Sequence, residues 1–172
     1  TVDLDGDVTG ATTVTISDVG TEIDLAAGVD ITASGGNVDL NNTVAQIDLS
    51  GTTDTNTISA SGSVELANVV DTGTTTATSP VELVVTAGTG VTLGTVTLSN
   101  TLDVDFDTAT GTSTLNAGSL SAGTIEVDGV GTNDVMNFGS TVVSTVAGVT
   151  IGNAGTVDLD GDVTGATTVT IS

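Results

Sequence analysis

The seventeen residues TVDLDGDVTGATTVTIS stand at positions 1–17 and again, without a mismatch, at 156–172. Identity over that length is no accident. It reads as a tandem array in which 1–155 is one full repeat and 156–172 starts the next. Repeats must be found before anything else, because they dictate the architecture. Near-perfect repeats belong to long surface proteins. Residue 1 falls in mid-pattern and the sequence shows no signal peptide, so the expectation is an excised fragment or a mature segment.

A finer rhythm runs inside the period. Apolar–x–apolar triplets recur, almost evenly spaced, at Val14-Thr-Ile16, Val29-Asp-Ile31, Ile47-Asp-Leu49, Val64-Glu-Leu66, Val81-Glu-Leu83 and Val96-Thr-Leu98. A second series interleaves, with Val2-Asp-Leu4, Ile23-Asp-Leu25, Val38-Asp-Leu40, Val91-Thr-Leu93 and Leu102-Asp-Val104. Strict alternation puts apolar side chains on one face and polar ones on the other, as a strand requires. Clusters such as SGG, NN, SGTTDTNT and GTGTS separate the triplets and read as turns. No apolar stripe of helical spacing competes. Thr, Val and Ile, stiff at χ1, prefer the pleated surface. The chain is all-β.

Two all-β architectures remain. A tandem β-sandwich wants longer strands and bulky aromatic residues in its core. Here the aromatics are Phe106 and Phe138 alone, and the strands are very short. A parallel β-helix, or β-solenoid, stacks short strands around a narrow interior filled by Val, Ile and Leu. The triplets fit it better, at roughly nine or ten short rungs per repeat.

Charge excludes several functions. The chain has 22 carboxylates and no Lys, Arg or His, for a net charge of −22. Phosphate contacts need Lys or Arg, so nucleic acid is not an expected partner. Docking on anionic lipid is disfavoured on the same ground. No run of about 18 apolar residues exists for membrane insertion. Mean hydropathy is nevertheless positive, unlike that of a disordered acidic tail. With no Cys, no disulfide framework can form. His, Cys, Lys and Tyr, the usual bases and nucleophiles, are all missing. The chain is expected not to be an enzyme.

The phrasing of GTVDLDGDVTG and GTGVTLGTVTLSN resembles that of filamentous-haemagglutinin-like and other β-strand-repeat surface proteins of bacteria. The resemblance implies a parallel β-helix in an extracellular or cell-surface stalk, filament or matrix. It carries an expectation of partners that are copies of the chain itself, in tandem or end to end, and other cell-surface or matrix components. The competing expectation is an adhesin module built of calcium-stabilised β-sandwiches that binds a surface ligand.

Candidate site residues follow from the acidic triplets Asp3, Asp5, Asp7; Asp103, Asp105, Asp107; and the copy Asp158, Asp160, Asp162. On one strand face they would lie about 6–7 Å apart and repel unless screened or bridged. Calcium is the natural hard cation for such oxygens. The other reading is a solvated face that keeps the surface soluble. Asp71-Thr72-Gly73 is similar to the aspartic-protease signature, but it occurs once, and that chemistry needs two aspartates. Thr-x-Thr pairs at Thr13/Thr15, Thr74/Thr76, Thr76/Thr78, Thr95/Thr97 and Thr168/Thr170 are the pattern of ice-binding solenoids, though unevenly spaced. Asn41-Asn42-Thr43 is a lone glycosylation acceptor pattern.

Overall fold

The computed structural model describes residues 1–17, 19–41, 46–50, 54–71, 81–107 and 111–172. Among them the chain forms 23 strands and no helix. The first turn is β1 (Val2–Leu4), β2 (Val8–Gly10) and β3 (Val14–Thr15). The second is β4 (Glu22–Leu25), β5 (Asp30–Ala33) and β6 (Val38–Leu40), and the third β7 (Gln46–Leu49), β8 (Asn56–Ala60) and β9 (Ser63–Leu66). Then come β10 (Asn68–Val70), β11 (Val81–Ala87) and β12 (Gly90–Leu93), followed by β13 (Val96–Thr97), β14 (Thr101–Phe106) and β15 (Thr114–Ala117). The sixth turn is β16 (Leu120–Ala122), β17 (Thr124–Asp128) and β18 (Val135–Phe138), and the seventh β19 (Val142–Ser144), β20 (Gly148–Gly152) and β21 (Thr156–Leu159). An eighth turn begins with β22 (Val163–Thr164) and β23 (Thr168–Ile171).

Every third strand belongs to the same sheet. The first sheet runs β1-β4-β7-β10-β13-β16-β19-β22, the second β2-β5-β8-β11-β14-β17-β20-β23, and the third β3-β6-β9-β12-β15-β18-β21. All pairings are parallel. The fold is thus a three-sided parallel β-solenoid. The tandem β-sandwich expectation fails, because a sandwich packs two antiparallel sheets face to face, whereas these three sheets are parallel and run from turn to turn.

The rung count also needs correction. Successive turns of the first sheet align Val2 with Ile23, Ile47, Val69, Val96, Leu120, Val142 and Val163. Turns are therefore longer than the triplet spacing and uneven: the step from Val2 to Ile23 is among the shortest, and that from Val69 to Val96 is the longest. One full repeat makes just under seven turns rather than nine or ten. The closer spacing of the triplets has a simple origin. Val14, Val29, Ile47, Val64, Val81 and Val96 each lie within one residue of the start of β3, β5, β7, β9, β11 and β13. The series steps by two strands, which is two-thirds of a turn.

Inward side chains stack into one continuous core that includes Ile23, Leu25, Ile31, Val64, Leu102 and Ile151, all fully buried. In a parallel ladder each inward residue rests on its register partner about 4.8 Å away, so neighbouring volumes must complement each other. The two aromatics obey this: Phe106 stacks on Ala87, and Phe138 on Ala117.

Three buried polar side chains are satisfied by backbone. Asn56, inward-facing and 1% exposed, donates to the carbonyls of Ala26 at 2.8 Å and Val29 at 3.3 Å. Asp134 accepts from the N–H groups of Ser113, Val130 and Gly131 at 2.8–3.0 Å. Ser144 donates to Gly123 O at 2.7 Å. Each thereby offsets its own desolvation. At the corner between the second and third sheets the chain turns so tightly that backbones touch. Gly62 N–H donates to Gly36 O and Gly88 N–H to Gly62 O, and a Cβ at Gly88 would strike Ser61 O.

Candidate functional site

The outward positions form ladders as regular as the core, because register brings each outward residue beside its counterpart one turn away. Asp103 pairs with Glu126, and Asp105 with Asp128, on the second sheet. Four carboxylates thus share one patch with no cation beside them, since the chain has no Lys, Arg or His. Burial, then the charges of Asp105, Glu126 and Asp128, push the Asp103 carboxyl up to about 6. Burial, then Asp128, also raises Asp105. In both cases the charged form is opposed by desolvation and by like charge.

A second ladder lies on the first sheet, where Asp3, Asp24 and Asp48 are consecutive register partners. Asp3 is exposed, Asp24 half-buried and Asp48 only 6% exposed. Asp24 Oδ1 is shut from solvent and meets no hydrogen-bond donor among the described residues. Between β15 and β18 of the third sheet the same geometry carries neutral groups: Asn137 Nδ2 donates to Asn116 Oδ1 at 3.0 Å.

The acidic triplets are less uniform than their sequence. Asp3, Asp103, Asp105 and Asp158 lie on strands. Asp5 and Asp7 fall in the turn after β1, and Asp160 and Asp162 in the equivalent turn after β21. Asp107 follows the end of β14. The expected single strand face of three carboxylates is therefore broken at the first turn in every copy. Asp7 instead accepts the Asp30 N–H through Oδ1 at 3.0 Å, which ties one turn to the next. Among the described residues no group of three or more Asp or Glu side chains has an arrangement that could hold a metal ion. What the Asp103 patch can do is attract diffuse counter-ions and take up a proton.

Glu126, Asp128, Asp24 and Asp48 are not among the expected site residues. The signal that finds them is a shift by one turn of the coil, from Asp103 to Glu126 and from Asp3 to Asp24.

The Thr-x-Thr pairs on the described strands are dispersed. Thr15, Thr97 and Thr170 sit on the third, first and second sheets respectively, so these pairs share no face. Thr74, Thr76 and Thr78, most of Asp71-Thr72-Gly73 and most of Asn41-Asn42-Thr43 lie outside the described residues. No family model matches the chain, and no curated protein or solved structure matches it either. Of the expected resemblance, what the structure carries is the parallel β-solenoid fold.

Proposed function

We propose that this chain is an architectural segment, part of an extracellular filament, stalk or surface matrix assembled from tandem solenoid repeats. One observation supports this above all others: among the described residues a single core runs through seven turns and into an eighth, with each strand stacked in parallel on its counterpart one turn away. Such a coil gains length simply by adding turns, because each turn contacts only its neighbours. Absence of Lys and Arg leaves no trypsin cleavage site, which suits exposure outside the cell. The uncompensated carboxylates hold neighbouring rods apart by repulsion. The chemistry of the side chains supports no enzyme reading, since the only titratable side chains are carboxylates.

The test is length against repeat number. Arrays of one to four repeat units should appear in electron micrographs as straight rods. At a strand spacing of ~4.8 Å, each added unit should lengthen the rod by about 32 Å. Flexible beads, or a length that does not grow in proportion, would replace the filament reading with separate modules.

A further inference from the structure

The two copies of the seventeen-residue sequence do not occupy equivalent places. Val2, Val8 and Val14 lie on the first, second and third sheets. Their copies Val157, Val163 and Val169 lie on the third, first and second. The reason is arithmetic: among the described residues β21 is the twentieth strand after β1, and twenty is not a multiple of three. We infer that a tandem array of this unit advances by one face of the coil per repeat, so that three repeats, or twenty turns, restore the starting orientation. This inference rests on the tandem-filament reading above.

The packing explains how one sequence tolerates both settings. In the first copy Val2 and Leu4 meet Ile23 and Leu25 of the first sheet. In the second copy Val157 and Leu159 meet Met136 and Phe138 of the third. Val8 pairs with Ile31, and its copy Val163 with Val142. Val14 pairs with Val38, and its copy Val169 with Val149. Each position asks only for an aliphatic residue inside and a polar one outside. The corners are equally interchangeable: residues 5–7 turn from the first sheet to the second, and the identical residues 160–162 turn from the third to the first.

The consequence for the surface is specific. The patch of Asp103, Asp105, Glu126 and Asp128 lies on the second sheet of one repeat. One repeat onward it stands on the first sheet, and two onward on the third. The array shows each repeat's outward groups to all sides in turn, and a partner approaching from any direction meets every one of them.

The single chain provides the first test. It has no Cys, so spin labels can be placed at will. Asn137→Cys with Asp158→Cys, register partners on the third sheet, should show strong dipolar broadening, and Val143→Cys with Asp158→Cys should show little. Strong coupling in the second pair and not the first would put the copy on its original face and overturn the inference. The decisive test is a six-repeat array carrying Glu126→Cys in each repeat, biotinylated there, decorated with streptavidin and viewed by electron microscopy. Tags should leave the rod in three directions, with every third tag in line, about 96 Å apart at ~4.8 Å per turn. Straight rods with all tags on one side would overturn the inference and leave the filament reading standing. Tags on separate, unaligned beads would overturn both.

Discussion

The β15–β18 pair of the third sheet and the β14–β17 pair of the second present the same ladder geometry to solvent with opposite energetic results. On the third, Asn137 donates to Asn116 one turn below. On the second, Asp103 faces Glu126, and Asp105 faces Asp128. A parallel solenoid places like beside like whenever the outward residue is the same from turn to turn. An amide is donor at one end and acceptor at the other, so stacked amides help each other. A carboxylate is acceptor only, so stacked carboxylates repel until one takes a proton. The fold therefore amplifies whatever chemistry its outer positions carry, while the core beneath both sheets is equally apolar.

If that division of labour is right, the largest effect should come from below the amide ladder rather than from within it. Phe138→Ala leaves a void against Ala117 and should cost about 3–5 kcal/mol. Urea denaturation would measure it, and a loss no larger than that of the outward changes would contradict the primacy of the core. Next is Asn137→Asp, which removes the donor to Asn116 and sets a carboxylate between Asn116 and Asp158. It should cost about 1–2 kcal/mol at neutral pH. No loss would mean that the amide ladder contributes nothing.

The smallest effect belongs to the carboxylate patch and depends on pH. Asp103, held at about 6, binds its proton more readily in the folded chain than in the unfolded one, where carboxylates titrate near ~4. Its contribution is thus fully present below about pH 4 and is lost as pH rises through about 6. Asp103→Asn should raise the melting temperature at about pH 7.5 and leave it unchanged at about pH 3.5. Equal shifts at both pH values would show that charge is not the cause.

Much of the fold was legible in the sequence. Apolar–x–apolar triplets such as Ile23–Leu25 and Val64–Leu66 name the inward pairs directly, and both lie on strands with buried apolar positions. What they could not give was the number of strands per turn. Some strands break the triplet pattern and escape such a reading: β2 ends in Gly10, β8 opens inward with Asn56, and β10 keeps one buried valine. Without them, two-thirds of a turn looks like a whole one. The site was legible only along the chain. Asp103 and Asp105 stand out as an alternating pair, but Glu126 and Asp128 join them only through the register of the next turn. Turns here differ in length, as the short step from Val2 to Ile23 and the long one from Val69 to Val96 show, so no fixed period aligns them.

Strands that cross the coil send their hydrogen bonds along its length, each turn gripping the one before and the one after. Tension applied through the chain ends therefore meets only one turn's bonds at a time. The end turn peels, its length of chain comes free, and the next turn takes up the load unchanged. Under a pull of this kind the expected behaviour is that of a spool of short sacrificial bonds: yielding turn by turn, with the remaining turns left as a template for rewinding once the pull is released.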